Sequence, residues 1–342
     1  MNFNTDFFKK TLCDILAIDS PSGYTAAAMG KIGELVAGMG YESRLTRKGN
    51  LVLEVPGKSG RTVGISAHAD TLGLVVRGFR DDGTLSFSQV GGAILATLDG
   101  EYCRVRTRSG RVYTGTILSN SPSSHVFKDA GTRERKDREM HVRLDEEVGS
   151  AEEAKKLGIL PGDFICYDPK TEITEKGFIK SRFLDDKLSV AIILELLRGF
   201  AEEGVVPSHN VQVIFSSYEE VGHGLSHLPA PVEEFVTVDM GCIGEDLLCT
   251  EYDVSICAKD SSGPYDYELT GRLISLAQAA GLSFAVDIYP MYGSDVSAAR
   301  EAGHDLKGAL IGPGVAASHG MERSHLKAVE NTWKLLWLYL TS

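Results

Sequence analysis

The sequence has no run of apolar residues that is long enough to span a bilayer. A membrane-spanning helix needs about 20 largely apolar residues, and no segment of this 342-residue chain approaches that length. Residues 1–19 mix charged and apolar side chains, which predicts an amphipathic helix and not a signal peptide. We therefore expect neither membrane insertion nor secretion, and we predict a cytoplasmic location.

Cysteine pairs with the spacing of a metal or disulfide motif are also absent. The chain has six cysteines, which are scattered without any Cys-x-x-Cys spacing. Such a pattern is typical of buried thiols in a reducing compartment, and it predicts neither a disulfide framework nor a zinc knuckle.

A basic block and an acidic tail are missing as well. The formal net charge of −12 comes from 47 acidic and 35 basic side chains that are spread along the chain. This balance argues against binding to nucleic acid or to anionic membranes. We therefore predict that the partners are small molecules or peptides.

Two different patterns divide the chain. Residues 1–70 and 170–342 alternate helical periodicity with β-forming runs, which predicts an α/β fold, a three-layer α/β/α sandwich with a mostly parallel sheet. Residues 71–169 contain short β-rich runs between Gly, Asp and Ser turns. We predict that this second segment is a small β-barrel or sandwich inserted into the main domain.

The first two candidate site segments lie at a strand end and at a helix start. His68 and Asp70 end an apolar run, and residues two apart in a strand face the same way, so Asp70 can orient an imidazole that binds a metal. Asp185 and Asp186 precede an apolar helix, where one carboxylate can bridge two metals. Taken alone, the first pattern is more typical of a capped strand end, and the second also fits a helix cap.

The third segment is a pair of adjacent carboxylates, Glu219 and Glu220, which follow a β-forming run. Neighbouring residues of an extended strand point to opposite faces, so both can serve one site only if the chain turns there, and Gly222 permits a turn. One glutamate could then bind a metal while the other accepts a proton from water. Without its neighbours, the pair fits a charged surface loop equally well.

Asp239 ends another apolar strand, and a glycine-rich loop over residues 312–325 carries His319 and His325. Either histidine alone is more typical of a loop or cap residue than of a ligand. Together, however, these segments bring acids and imidazoles to the same edge of the predicted sheet. A set of nitrogen and oxygen donors without sulfur suits zinc, cobalt or manganese, so we predict a site for two divalent metal ions.

In this order, the segments resemble peptidase family M42. These dinuclear metallo-aminopeptidases include glutamyl and deblocking aminopeptidases and the tetrahedral (TET) peptidases, and were once described as cellulase-like. The resemblance covers nearly the whole chain and rests on the motifs S-A-H-A-D (66–70), L-D-D-K (184–187), Y-E-E-V-G (218–222), V-D-M-G (238–241), G-S-D (293–295) and S-H (318–319). In the insert, S-S-H-V (123–126) and G-I-L-P-G-D (158–163) are similar to further family elements.

This resemblance implies that His68 and Asp239 bind one metal, that Glu220 and His319 bind the other, and that Asp185 bridges both. Zinc or cobalt is the expected metal, with manganese as an alternative. The implied reaction is the hydrolysis of N-terminal residues from short peptides.

The resemblance also implies roles around the metals. Glu219 is the implied general base, and Asp70 is the implied carboxylate that orients His68. His125 and Gly293-Ser294-Asp295 are implied to line the substrate pocket. The inserted domain is implied to serve dimerisation and substrate access, within a homo-oligomer that ranges from a dimer to a dodecamer.

Three departures from the family pattern leave alternatives open. Lys187 stands where the family has arginine, which loses the planar guanidinium fork. The late motif of the family is R-Y-x-H-S-P-x-E, and here His319 and Glu322 are one residue closer together, so His325 remains an alternative ligand. The variant loop also resembles a branch of specialised hydrolases, which keeps a small amide, N-acyl or dipeptide substrate as the alternative.

Two hypotheses from other classes are weaker. A metal-free glycosidase needs two carboxylates about 5 to 9.5 Å apart across the bond, and adjacent residues such as Glu219 and Glu220 are poorly placed for this. A non-catalytic binding protein on the same fold would not need so complete a set of ligands.

Overall fold

The computed structural model describes residues 1–342, which form two compact units, residues 1–71 with 170–342 and residues 72–169. The helices are α1 (Thr5–Leu16), α2 (Ala26–Gly38), α3 (Ala151–Lys156), α4 (Leu184–Glu203), α5 (Tyr267–Ala279), α6 (Asp295–Glu301) and α7 (Leu326–Thr341). The strands of the first unit are β1 (Ser43–Leu45), β2 (Leu51–Val55), β3 (Thr62–His68), β10 (Glu172–Ile173), β11 (Phe178–Ser181), β12 (Asn210–Ser216), β13 (Glu234–Val238), β14 (Gly241–Cys242), β15 (Val254–Asp260), β16 (Gly263–Pro264), β17 (Phe284–Ile288), β18 (Lys307–Val315) and β19 (Glu322–His325). Those of the second unit are β4 (Gly73–Phe79), β5 (Leu85–Val90), β6 (Tyr102–Arg106), β7 (Val112–Ser119), β8 (Met140–Leu144) and β9 (Phe164–Tyr167).

A ten-stranded sheet forms the centre of the first unit, with the main order β1-β2-β12-β3-β13-β18-β15-β16. Its central strands β12, β3, β13 and β18 run parallel, whereas β2 and β15 pair antiparallel with β12 and β18. Val213 and Ile214 are neighbours on β12 and therefore point to opposite faces, yet both are fully buried. Both faces of the sheet are thus covered, and the predicted α/β fold with a mostly parallel sheet is confirmed.

Helix α4 is the most deeply buried helix of this unit. Residues 184–200 are buried on every side, because the helix packs against the sheet and also against α1 and α7. A helix that is apolar around most of its circumference is typical of such an interior position. None of the helices combines the length and the apolarity that a membrane span requires.

The second unit is a closed barrel of six antiparallel strands, in the order β4-β5-β8-β7-β6-β9. Its interior is filled by apolar side chains with almost no exposure, among them Leu74, Phe87, Val105, Ile117 and Val142. The inserted β-barrel is therefore confirmed. Its role in dimerisation and substrate access stays a prediction.

Glu234, at the start of β13, is a buried carboxylate that ties helices to the sheet. It accepts hydrogen bonds from Arg61 (2.6 Å), from Arg272 of α5 and from the Tyr339 hydroxyl of α7 (3.1 Å). Burial raises the pKa of this carboxyl, but Arg272 and Arg61 outweigh it and hold the pKa below its ordinary value of 4.5. The carboxylate therefore stabilises the fold above about pH 4.5, and this stabilisation is lost as the pH falls through the folded-state pKa.

We predict that Glu234→Gln lowers the free energy of unfolding by about 1 kcal/mol at pH 7, since it removes charge-assisted hydrogen bonds between a buried carboxylate and two arginines that are 31% and 42% exposed. Urea denaturation at pH 7 and below pH 4 measures this, and the difference from the wild type should shrink in acid. Glu233→Gln is the matched control. Glu233 also pairs with Arg61 (3.0 Å), but its side chain is 65% exposed, so the expected change is under about 0.5 kcal/mol. Equal effects of the two variants would contradict the prediction.

Candidate metal centre

The predicted ligands lie at the carboxyl edge of the parallel strands. His68 is the last residue of β3, Glu219-Glu220 follow β12, Asp239 directly follows β13, and His319 follows β18. Asp185 lies in the first turn of α4. Because parallel strands all end at the same edge, residues that are far apart in the sequence meet there.

Asp185 lies at the centre of this arrangement. Its Oδ1 is 3.0 Å from His68 Nε2, and its Oδ2 is 3.5 Å from His319 Nε2. The same nitrogen of His319 is 3.6 Å from Glu220 Oε2. One carboxylate thus presents each of its oxygens to a different imidazole, which is the arrangement that a bridging ligand requires.

Two overlapping groups of donor atoms could each hold an ion. One consists of His68, Asp185 and Glu220, and the other of His68, Glu219 and Asp239; the donor atoms of each group lie within 4.8 Å of one another. Nitrogen and carboxylate oxygen donors suit zinc and other borderline divalent metals. The chemistry of the donor set therefore fits a pair of such ions.

The electrostatics of the site also fit bound cations. Burial raises the pKa values of Glu219 and Glu220 well above the ordinary value, and burial together with the neighbouring Asp185 raises that of Asp239 to about 7. Burial acts in the same direction on Asp185, but hydrogen bonds from His319 and His68 outweigh it, so its pKa is lowered. Glu220 Oε1 has no hydrogen-bond partner. Buried carboxylates this close together are costly unless cations compensate their charge.

The turn that aims the glutamate pair begins at Tyr218. Strand β12 ends at Ser216, Tyr218 adopts a left-handed conformation (φ 71°), and Glu219–Val221 form a single 3-10 turn that Gly222 (φ 83°) ends. The sequence predicted a turn at Gly222 alone. A left-handed non-glycine residue costs roughly 1–2 kcal/mol, and such strain is concentrated at functional sites.

Asp70 contacts His68 with both its main chain and its side chain. The atom nearest to His68 Nδ1 is the backbone carbonyl oxygen of Asp70 at 2.9 Å, whereas the carboxylate Oδ1 is 3.6 Å away. The carboxylate accepts the backbone N–H groups of Glu219 (3.1 Å) and Glu220 (3.3 Å) and the hydroxyl of Ser22. The Asp70 carboxylate thus lies beside His68 and also binds the main chain of the glutamate turn, and its role in orienting His68 stays a prediction.

The two candidate histidines lie in different surroundings. His319 is beside Asp185 and Glu220, as described above, and its side chain is 36% exposed. His325 accepts the backbone N–H of Lys327 (3.0 Å) as the cap of α7, and its Nε2 is 2.8 Å from the carbonyl oxygen of Lys176. His325 is therefore occupied with structural contacts.

Lys187, which stands where the family has arginine, is 1% exposed. Its Nζ donates to the carbonyl oxygen of Ile18 (2.7 Å). The single charge on its ammonium group is thus directed at the main chain after α1, an interaction that does not need a planar guanidinium.

The residues predicted to line the substrate pocket are divided between the two units. Gly293 lines a cavity of about 250 Å³ together with the candidate ligands, and Ser294 and Asp295 line an adjoining cavity of about 490 Å³. His125 lies in the barrel unit, on an exposed loop between β7 and β8.

Two residues of the site were not assigned a role from the sequence. Glu322 is buried and accepts the backbone N–H groups of Asp185 (3.1 Å) and His319 (3.0 Å), so it fixes both loops; burial and the nearby Asp185 raise its pKa to about 8. Tyr292 lines the cavity of the candidate ligands, and its hydroxyl donates to the carbonyl oxygen of Met240 (3.1 Å). In the sequence, only the position of Tyr292 next to the predicted pocket residue Gly293 indicated that it could lie in the site.

A family model described as M42 glutamyl aminopeptidase matches residues 49–335 of the chain. The chain belongs to the M42 peptidase family. Membership of this family makes the chain a hydrolase, a metal-dependent aminopeptidase that uses divalent metal ions. The resemblance predicted from the ordered motifs is confirmed.

The chain is also similar to individual proteins in sequence and in structure. The Bacillus subtilis (strain 168) protein YhfE, an aminopeptidase by name, is 43% identical over 331 residues, 96% of each chain. Among solved structures, the TET1 peptidase of Pyrococcus horikoshii superimposes with a TM-score of 0.85 at 24% identity, covering 98% of this chain and 99% of that one. A TET aminopeptidase from a marine-sediment Thaumarchaeota archaeon gives 0.89 at 19% identity, covering 99% and 97%. The two structures show the same fold.

Proposed function

We propose that this M42 chain removes the N-terminal residue of short peptides with two divalent metal ions and with Glu219 as the general base. The observation that carries the proposal is the position of Asp185, whose two oxygens face His68 and His319 on opposite sides. A single-metal hydrolase needs no such shared carboxylate, whereas a co-catalytic pair does.

The ligand assignment that the family resemblance implies is compatible with these distances. His68 and Asp239 would hold one ion, Glu220 and His319 would hold the other, and Asp185 would bridge them. When bound, the ions supply Lewis-acid chemistry, which polarises the substrate carbonyl and makes water more acidic. Zinc or cobalt is the metal we propose, because the donors are imidazoles and carboxylates without thiolates.

Glu219 would accept a proton at its carboxylate from the attacking water and return it to the leaving amine. Its Oε2 lies 3.7 Å from His68 Nε2, and its side chain is only 15% exposed, so it reaches the metal site while it remains open to the cavity. The hydrogen bond from its main chain to Asp70 holds it in place. A base held in this position can accept the proton as water attacks and donate it as the amine leaves.

We also propose that the chain forms a homo-oligomer. In support, the TET1 peptidase of Pyrococcus horikoshii, a structural neighbour, can assemble into a tetrahedron or a large octahedral shell. Light scattering on the purified chain measures the assembly, and a monomer would contradict the proposal.

The aminopeptidase proposal is tested by hydrolysis of a substrate panel. We predict that the zinc- or cobalt-loaded protein cleaves aminoacyl-p-nitroanilides and dipeptides with a free amine, and that N-acetylation of the same compounds abolishes cleavage. If N-acylated compounds are cleaved and free amines are not, the site instead serves N-acyl substrates. If the whole panel remains intact, the proposed reaction is wrong.

A further inference from the structure

A second cavity adjoins the cavity of the candidate ligands. It measures about 490 Å³, and the two cavities share Glu219, Gly222, Met291, Tyr292 and Gly293 as lining residues. This size falls in the range of small-molecule pockets. A substrate whose scissile bond lies beside Glu219 would therefore have room for one side chain in this space, which we call the side-chain cavity.

The ionisable side chains that line the side-chain cavity are all acidic. They are Glu219, Asp295 and Glu301, and no lysine, arginine or histidine is among the lining residues. Glu301 is exposed at the end of α6 and forms no ion pair. A cleft lined by one sign of charge attracts ligands of the opposite sign.

Asp295 contributes a buried carboxylate oxygen that no protein group satisfies. It is 1% exposed, its Oδ2 accepts the Ser216 hydroxyl, and its Oδ1 has no hydrogen-bond partner. Lys48 is near enough to interact with it electrostatically, but the Lys48 ammonium donates to Ser226 (2.8 Å) and to the His223 carbonyl. A buried carboxylate oxygen without a donor is a costly arrangement unless a ligand supplies one.

Two serine hydroxyls of the cavity, those of Ser262 and Ser297, donate to one buried carboxylate. Asp260 is fully buried behind the wall, and it accepts the hydroxyls of Ser262 (2.6 Å) and Ser297 (2.5 Å). A hydroxyl that donates its only proton to a carboxylate presents lone pairs to its other side. Ser297 is buried and has the Ser294 (3.1 Å) and Tyr265 (3.4 Å) hydroxyls on its other side. Ser262 is exposed, so its hydroxyl offers an acceptor to the cavity, which suits an ammonium or guanidinium group.

We propose that the side-chain cavity selects substrates with a cationic N-terminal side chain, lysine or arginine, through Asp295 and Glu301. This inference rests on the proposed aminopeptidase function, because it concerns the residue that such an enzyme removes. Glu301, at the rim, is the specificity-determining residue that can be changed without disturbing the metal centre.

The test compares lysyl-p-nitroanilide with norleucyl-p-nitroanilide, which differ chiefly in the terminal ammonium group. We expect the metal-loaded wild type to favour lysine in kcat/KM by about tenfold or more. Glu301→Gln should reduce this ratio by about fivefold through a lower kcat/KM for the lysyl substrate, as expected for a partly exposed ion pair. Glu301→Arg should invert the preference toward glutamyl-p-nitroanilide.

Asp305→Asn is the matched control, since Asp305 is an exposed acid on the same segment that does not line the cavity, and it should leave the ratio unchanged. Equal turnover of lysyl and norleucyl substrates, with no effect of Glu301→Gln, would overturn the inference and leave the aminopeptidase function intact. Failure to cleave any member of the panel would overturn both.

Discussion

Glu219→Gln is expected to lower kcat by about 10²- to 10⁴-fold, which is the usual contribution of a general base, while the metal content stays at the wild-type level. Glutamine keeps the shape of the side chain and its backbone contact with Asp70, but it cannot accept a proton. Stopped-flow or steady-state turnover of an aminoacyl-p-nitroanilide, together with metal analysis by mass spectrometry, measures both quantities on one preparation.

The neighbouring residue provides the matched control. Glu220→Gln changes the same chemical group one residue along, but Glu220 belongs with His68 and Asp185 in a donor group, so this variant should lose metal together with activity. The other donor group contains Glu219 itself. Loss of metal from Glu219→Gln would therefore indicate that Glu219 is a metal ligand. Unchanged turnover with full metal content would show that Glu219 is not the general base.

The proximity of the candidate ligands could be predicted because it depends on topology. His68 and Asp239 follow apolar runs that were recognisable as strands, and parallel strands deliver their following residues to one edge. The family motifs added the order of the ligands. The sequence could not predict that the two oxygens of Asp185 face different imidazoles, which is the contact expected of a bridging ligand.

The local conformations around the site could not be predicted in the same way. Tyr218 turns the chain in a left-handed conformation that its residue type does not favour, so only Gly222 was a visible signal. Similarly, the i, i+2 rule placed the Asp70 side chain beside His68, and its Oδ1 lies 3.6 Å from His68 Nδ1. The rule gave no sign of the closer main-chain contact at 2.9 Å, or of the hydrogen bonds that the same carboxylate accepts from the main chain of Glu219 and Glu220.

The choice between His319 and His325 shows the same limit of spacing arguments. Strand β19 was not predicted, because its residues, Glu-Arg-Ser-His, are polar. It nevertheless pairs with β11, and it connects the loop that carries His319 to α7. A short strand between the two histidines separates them in space, although they are only six positions apart in the sequence. Glu322 at the start of this strand is the residue that holds His319 and Asp185 together.

Asp185→Asn is expected to remove the metal pair and to reduce turnover by about 10²-fold or more, since second-sphere changes alone cost 10- to 100-fold and Asp185 is proposed as a shared ligand. Asparagine keeps the size of the side chain but loses the negative charge between His68 and His319. We expect the metal content to fall from two ions per chain to one or none. Metal-induced stabilisation, about 2.7 kcal/mol at a hundredfold excess over the dissociation constant, should shrink in parallel in a thermal unfolding assay.

His325→Asn is the matched control for this experiment. Asparagine is a good helix cap, so it can replace the contact of His325 with the Lys327 N–H group without offering an imidazole to a metal. His325→Asn should therefore keep both ions and most of its turnover. Asp185→Asn should do the same only if Asp185 is not a metal ligand. Retention of two ions by Asp185→Asn would exclude the bridging role, whereas loss of an ion from His325→Asn would make His325 the late ligand in place of His319. The metal counts of the two variants thus distinguish three cases. If Asp185 bridges two ions, only Asp185→Asn loses metal; if Asp185 is not a ligand, this variant keeps both ions; and if His325 is the late ligand, His325→Asn loses an ion.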